Sequence, residues 1–425
     1  MRARSTIGRV LLLAILTIPS SLEGYTTQYQ DPYEVMTLVE AVEIARTRHP
    51  RTEIAAAHLT ITRGMTRTEG AFSNPTAEWQ VEGLSSDGLL ETDRFLTATL
   101  PIDLFGSRLA RHASGRATIR SAEAEALSIS RQVELDAAAS YWRAALAQAL
   151  YDAKSEQRSA LEELARYDEV RYREGAIAEV DALRTRLEAD RARITEAIAR
   201  TELAEARAEL AIALGLDTDE IPRLEPLIVE PMKAAWRTPS LEEALESARS
   251  RRPELQAANS ALDAARLQRT AARLGSLPQP NLIGGMKRTN GATGAVIGVS
   301  LPIPLFDRNQ GEREVATGEL RRAEAHRRAV EAMITTEVTA AVETLEALLD
   351  ALGPDEWDLG ARGREMTEIM ENAYREGGAT LVELLETRRA AIEAQISALR
   401  WHAELRIALL QLNYLTGAPL LEGLP

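Results

Sequence analysis

The sequence predicts a mainly α-helical protein with a small β part, assembled from two copies of one unit. Three observations lead to this fold class: a repeat along almost the whole chain, two long stretches nearly free of helix breakers, and four short β-like runs. Alanine, glutamate, arginine and leucine dominate the 425 residues, and aromatic residues make up only 4%. Such a composition favours long helices and coiled coils.

The repeat is visible in three pairs of segments that share a sequence pattern. They are LVEAVEIARTRHP at 38–50 with LEEALESARSRRP at 241–253, LPIDLF at 100–105 with LPIPLF at 301–306, and YREGAIAEVDAL at 172–183 with YREGGATLVELL at 374–385. Their offsets are 203, 201 and 202 residues. Since chance matches would not keep one offset, we infer an internal duplication.

Each copy begins with the same predicted elements. A short helix ends before Pro50 or Pro253, because proline is excluded from a helix interior and restricts its predecessor. A second helix then runs to about Arg67 or Arg273. Two β-like runs follow, at 76–100 in the first copy and at 281–301 in the second, where Asn-Gly forms a favoured hairpin turn.

A very long helical stretch follows each pair of strands. Residues 106–173 contain no proline and one internal glycine, Gly115, so an unbroken helix would be about 100 Å long. The second stretch, 309–375, is interrupted by Gly353-Pro354, where we expect a kink or a local bulge.

After each YREG the chain is expected to turn and return as a helix that ends near a glycine, Gly215 or Gly417. Each return helix carries an apolar seam with coiled-coil spacing. The seams are Val180, Leu183, Leu187, Ile194 and Ile198 in the first copy, and Leu385, Ile392, Ile396, Leu399, Ala403, Ile407 and Leu410 in the second. We expect each seam to pack against the outgoing arm of its own hairpin.

Several classes of function are disfavoured by composition. The net charge is −14 and no basic block is present, so nucleic acid is not an expected partner. The chain has no cysteine, which excludes disulfides and thiolate sites. No histidine pair has metal-ligand spacing, and Met366 and Met370 are expected to pack between helices rather than bind a metal. No phosphate loop or nucleophile motif is present, so neither an enzyme nor a cofactor is predicted.

The first 24 residues have the layout of a secretory signal peptide: arginines, an apolar run and small residues. The alternative is a membrane anchor, but the apolar run at 10–18 is too short to span a bilayer.

The four β-like runs also need an explanation, because two hairpins with open edges are marginal in water. A barrel in a membrane must close, and three copies of the chain would supply about twelve strands.

The duplicated hairpins, LPIDLFGSR, LPIPLFDRNQGE, the paired YREG segments and the closing YLTG resemble the TolC-type outer-membrane efflux channels. The resemblance covers about residues 35–418, and LPIPLFDRNQGE is similar to the heavy-metal branch, which serves cobalt-zinc-cadmium and copper-silver exporters. It implies a homotrimer with a 12-stranded β-barrel in outer-membrane lipid and an α-barrel of long antiparallel coiled-coil helices in the periplasm. It also implies two partners, a periplasmic adaptor and an inner-membrane resistance-nodulation-division pump.

On this resemblance the chain divides into a signal peptide (1–24), a first repeat (35–217), a linker or equatorial region (218–239) and a second repeat (240–418). The hairpin tips, at 172–181 and 374–386, are expected to form the periplasmic mouth.

Acidic residues near the tips are expected to narrow that mouth: Glu383, Glu386 and the first-copy counterpart Asp181. The alternative is that these are solvated charges on a coiled-coil flank. Contacts with neighbours or the adaptor are expected from the tip residues Tyr172, Arg173, Gly175, Tyr374, Arg375 and Gly377. For the tyrosines and arginines, the alternative role is a local anchor of the turn.

Two function classes remain open from the sequence. The first is a passive outer-membrane duct for heavy-metal cations, with drug, small-molecule or type I secretion as alternatives, since LPIDLFG also resembles drug-type channels. The second is a soluble periplasmic coiled-coil protein, which would not need the β-like runs.

Overall fold

The computed structural model describes residues 35–83, 92–227, 239–351 and 359–421. The signal peptide predicted at 1–24 and the Gly353-Pro354 interruption lie outside these residues, as does half of the linker predicted at 218–239. The first copy contains α1 (Leu38–Arg48), α2 (Pro50–Glu69), β1 (Thr76–Glu82), β2 (Asp93–Pro101), α3 (Ser107–Arg173) and α4 (Glu179–Leu214). The second contains α5 (Leu241–Arg251), α6 (Pro253–Leu274), β3 (Asn281–Thr289), β4 (Ala292–Ser300), α7 (Gln310–Asp350), α8 (Leu359–Arg375) and α9 (Leu381–Thr416).

The helix ends are set by local sequence signals that recur in both copies. Thr37 and Ser240 each form a capping box with a glutamate three residues later, which begins α1 and α5. Pro50 and Pro253 occupy the first position of α2 and α6, where a missing N–H costs nothing. The prediction that α3 is one unbroken helix is confirmed, since it runs for 67 residues.

The two hairpins pack differently, and the seam predicted on α4 is wrong. Its five large apolar residues are all more than half exposed, from 52% to 62%. The buried face of α4 carries small residues instead, and Ala189 and Ala192 pack against Leu161 of α3. Small side chains let the two backbones approach closely, so the arms meet through alanine. The seam on α9 is buried at Leu399, Ala403, Ile407 and Leu410, but the partner predicted for it is wrong. Leu399 and Ala403 pack beside Trp142 of α3, and Leu410 packs beside Ala138, so this part of the seam contacts the first copy rather than its own outgoing arm.

The core consists of one main cluster in each copy and a smaller cluster that joins the copies, and it includes the ends of α4 and α9 that lie away from the tips. One cluster joins α1, α3 and α4, and it includes Tyr141, whose hydroxyl donates a hydrogen bond to the Met36 carbonyl at 3.0 Å. An equivalent cluster joins α5, α6, α7 and α9. A third connects the copies through Val42, Ala138 and Leu410. Within the described ranges, no helix combines the length and the apolar character needed to cross a bilayer.

The four strands form one antiparallel sheet in the order β1-β2-β3-β4. Register pairs share a face, so the pairing assigns every side chain to one of two surfaces. One surface is apolar except for its last row: Ala77, Trp79, Val81, Leu96, Ala98, Leu100, Leu282, Gly284, Met286, Ala295, Ile297 and Val299, then Arg94, Arg288 and Thr293. The large members of this surface are exposed, among them Trp79 at 69% and Ile297 at 85%.

The other surface of the sheet is mainly polar. It carries Thr76, Glu78, Gln80, Glu82, Asp93, Thr97, Thr99, Asn281, Lys287, Thr289 and Ser300, with Phe95, Ile283 and Val296 as its larger apolar members. Among the described residues, β1 and β4 each pair on one side only, which leaves two open edges.

The single glycine inside α3 is a point of close helix contact. A methyl group at Gly115 would clash with the buried side chain of Thr66 on α2, whose hydroxyl donates to the Gly115 carbonyl at 3.2 Å. We expect Gly115→Ala to destabilise the protein by about 1–3 kcal/mol through overpacking. Gly318→Ala is the matched control, because nothing lies within 4 Å of that position on α7 and alanine favours a helix. Thermal denaturation in detergent checks this; equal melting temperatures for the two variants would contradict it.

Candidate functional site at the hairpin tips

Both YREG segments end a helix and form the same turn. Gly175 and Gly377 have φ values of +77° and +79°, a left-handed conformation that glycine adopts without strain. Their amides donate to the carbonyls of Tyr172 and Tyr374 at 2.9 and 3.1 Å. The repeat therefore preserves a helix-ending turn at each tip.

The two YREG tyrosines differ in their surroundings. Tyr172 is 39% exposed, whereas Tyr374 is 6% exposed. The Tyr374 hydroxyl donates to one carboxylate oxygen of Asp168 at 2.9 Å, and the Thr185 hydroxyl donates to the other at 2.7 Å. Asp168 is fully buried. We call these three residues the tip pin, because they join α3, α4 and α8 and so connect the two hairpins.

The Tyr374 phenol of the tip pin stays protonated well into the alkaline range. Burial, and then the hydrogen bond to the Asp168 carboxylate, raise the pKa of Tyr374 well above its usual value, so the phenol remains a donor.

A cation also lies beside the tyrosine rings near this contact. The Arg171 guanidinium lies 5.4 Å from the centre of the Tyr374 ring and 5.5 Å from that of Tyr167. A cation above these rings is attracted by their π electrons. Tyr374 thus contacts the other hairpin rather than anchoring only its own turn, while Tyr172 lies on the surface.

Sequence reasoning missed Asp168 and Thr185. A signal was available for Asp168: at the repeat offset of 202 residues, its counterpart is Met370. An acid in one copy where the other copy has an apolar residue indicates a specific partner. Met370 itself packs beside the Leu164, Tyr374, Leu381 and Leu384 cluster, as predicted. Met366 is 46% exposed, so the packing predicted for it is wrong.

Two of the predicted mouth acids have local partners. Glu383 is exposed and accepts bonds from the Thr380 amide and hydroxyl, both at 2.8 Å, which hold its pKa below the usual range. It thus closes a capping box at the start of α9 and stays ionised. Asp181 is half-buried in the first turn of α4, 3.8 Å from Arg184, its i+3 neighbour. Glu386 is exposed one turn after Glu383.

Ion pairs add further connections near the tips. Arg173 is exposed and pairs with Glu169 at 2.9 Å within its own helix, while Arg375 is exposed on the second tip. Arg389 on α9 lies 3.6 Å from Glu188 on α4, which links the two hairpins again. Among the described residues, no group of three or more histidine, aspartate or glutamate side chains is arranged to hold a metal ion.

The tip pin generates a stability prediction. Tyr374→Phe removes one donor from a fully buried carboxylate, and we expect the local opening free energy of the tips to fall by about 1–3 kcal/mol. Tyr172→Phe, the equivalent change at the exposed tyrosine, should have little effect. Amide hydrogen exchange over residues 374–385 is the measurement. Equal protection in both variants would show that the hydrogen bond contributes nothing to holding the tips.

Comparison with known proteins gives the chain its family. A model described as outer membrane efflux protein matches residues 58–216 and 244–418. A search of curated protein sequences gave no match. Among solved structures, the CmeC outer-membrane channel of Campylobacter jejuni aligns with a TM-score of 0.74 and 15% identity, covering 89% of this chain and 85% of that chain.

Two further solved structures share the fold. The open state of the MtrE outer-membrane channel of Neisseria gonorrhoeae has a TM-score of 0.71 and 20% identity, over 90% of this chain and 89% of that chain. CusC, a transmembrane channel, has a TM-score of 0.72 and 17% identity, over 92% and 96%. The family match falls on both copies and covers most of the chain, and the mainly helical fold with its small sheet agrees with it. The chain therefore belongs to the outer membrane efflux protein family and is an outer-membrane channel protein.

Proposed function

We propose that three copies of this chain form a passive duct that carries heavy-metal cations out of the cell across the periplasm and the outer membrane. The observation that carries the proposal is the sheet, which has one exposed apolar surface and one polar surface. A strand that faces lipid on one side and water on the other needs this alternation. Strands of nine residues are also long enough to cross a bilayer when tilted.

The open edges of the sheet support the trimer. Backbone groups along β1 and β4 need partners in lipid, and a neighbouring copy supplies them if the strands close into a barrel. Three sheets of four strands make about twelve, within the range of outer-membrane barrels. The exposed apolar residues of α4 also require a cover, and a helix of the next subunit would provide one with the same spacing.

The long arms carry the duct into the periplasm. An unbroken helix of 67 residues is about 100 Å long, which suits a conduit that meets a partner near the inner membrane. In this proposal a periplasmic adaptor binds the tips through Tyr172, Arg173, Gly175, Arg375 and Gly377. A resistance-nodulation-division pump supplies the energy, and the duct itself binds no cofactor.

The mouth of the duct lies at the tips in this proposal. Asp181, Glu383 and Glu386 from three subunits surround it with negative charge, which attracts cations. The tip pin holds the second hairpin against the first and keeps the mouth narrow until the partners bind. Tyr374 therefore acts in gating rather than in adaptor contact.

The choice of heavy-metal cations depends on LPIPLFDRNQGE and on the acidic mouth. Drug, small-molecule or type I secretion channels of the same fold are the alternative, which LPIDLFG supports. Selection of the cargo would in either case lie mainly in the pump.

The mouth acids are tested by conductance in planar bilayers. We expect the full chain to conduct as a trimer, and a variant with Asp181→Asn, Glu383→Gln and Glu386→Gln to lose cation preference by about two- to fivefold. Glutamine at 383 preserves the capping box, so the fold at α9 is retained. Glu343→Gln, an exposed acid on α7 far from the tips, is the control. A trimer that never conducts, even when Tyr374→Phe releases the pin, would refute the duct.

The cargo is tested in cells. Deleting the gene should sensitise the bacterium to zinc, cobalt or copper salts, and the wild-type chain should restore resistance. Sensitivity to dyes with unchanged metal tolerance would instead identify the drug-type alternative.

A further inference from the structure

The apolar surface of the sheet contains two cations side by side. Arg94 on β2 and Arg288 on β3 are register partners, so their side chains leave the sheet on the same surface. Both residues are exposed. Directly opposed cross-strand residues have Cβ atoms about 5 Å apart, and like charges in this position repel. Two arginines at such a position therefore need an anion to stabilise them.

The described acids of this end of the sheet lie on its other surface. The Asp93 carboxylate lies on the polar surface, where it contacts the Lys287 ammonium and the Thr289 hydroxyl, each at 2.5 Å. Glu82, on the same polar surface, accepts a bond from Gln80 at 2.8 Å. Within the described part of the chain, no carboxylate forms an ion pair with Arg94 or Arg288. The described residues therefore neutralise Lys287 and supply no carboxylate to the two arginines.

The position of the pair along the strands identifies its surroundings. The helices join the sheet at the start of β1 and β3 and at the end of β2 and β4, whereas the arginines lie next to the hairpin ends. Six residues separate Arg94 from Leu100, a distance of about 20 Å along the strand. This step rests on the proposed function: if the helices lie in the periplasm, the arginine row lies at the outer-leaflet edge of the apolar band.

We propose that Arg94 and Arg288 of each subunit clamp a phosphate group of an outer-leaflet lipid. A guanidinium presents a planar fork that matches phosphate oxygens, and two forks from neighbouring strands can hold one dianionic group. The next row of the same surface carries Trp79, Leu96 and Met286, which would contact the acyl chains below that headgroup. The occupant is a phosphorylated glycolipid in the membrane, rather than a soluble anion.

Native mass spectrometry of the detergent-solubilised full-length trimer tests this with three probes: lipid A bearing two phosphates, its dephosphorylated form, and inorganic phosphate. Wild-type protein should retain the phosphorylated lipid at least about tenfold better than the dephosphorylated form. Equal retention of the two lipids by the wild-type protein would by itself overturn the proposal. Displacement of the lipid by an equal concentration of inorganic phosphate would also overturn it, because the pair would then bind a free anion.

Variants locate the binding on the arginine pair. Arg94→Gln with Arg288→Gln should remove the preference for the phosphorylated lipid. Lys287→Gln, a cation one residue away on the opposite surface, should keep it. Arg288→Lys should weaken retention less than Arg288→Gln, because lysine keeps the charge without the fork. Full retention by the double glutamine variant would refute the assignment. A duct that conducts but fails these tests would overturn only the lipid site, whereas failure to conduct would overturn the proposed function.

Discussion

Backbone hydrogen bonding at the edges of a small sheet is the constraint from which the rest of this structure follows. Among the described residues, β1 and β4 have one partner each, and the surface between them is apolar and exposed. Exposing that apolar surface to water is unfavourable, and lipid offers no hydrogen-bond partners to the backbone N–H and C=O groups of the two edges. A closed barrel made from several copies meets both requirements. Because the chain continues from the strands into the helices, the number and direction of the strands also set the number and direction of the helices that leave the sheet.

The duplication produces two similar hairpins, and a difference between them allows a buried hydrogen bond from one to the other. Both tips keep the glycine turn, yet only the second tyrosine is buried, because only the first copy offers an acid to receive it. Asp168 occupies the position of Met370, so one copy supplies the acceptor and the other the donor. The contact therefore joins the two hairpins through different residues of each copy.

The arms also show how small residues determine packing. On the part of α4 nearer the tip the buried positions are mostly alanine and the larger apolar residues face outward, whereas Leu210 and Leu214 at its other end are buried. A seam of leucine and isoleucine predicts where a helix has an apolar partner, but it does not say whether that partner belongs to the same chain. In this protein Ala189 and Ala192 of α4 pack against α3, and small side chains of this kind let the two backbones approach and make many van der Waals contacts. The larger side chains are left for a neighbour.

The sequence by itself determined the fold class, the duplication, the unbroken α3, the strands and the turns at the two tips. Proline, glycine, capping residues and apolar periodicity act locally, so their effects can be predicted without knowing the neighbours. Only the tertiary structure decided which face of α4 is buried, that Tyr374 and not Tyr172 reaches Asp168, and that Arg94 lies beside Arg288. Those contacts join residues far apart in the chain, and strand register and helix rotation decide them. A change of one residue in register, or of a third of a turn, would bring different side chains together.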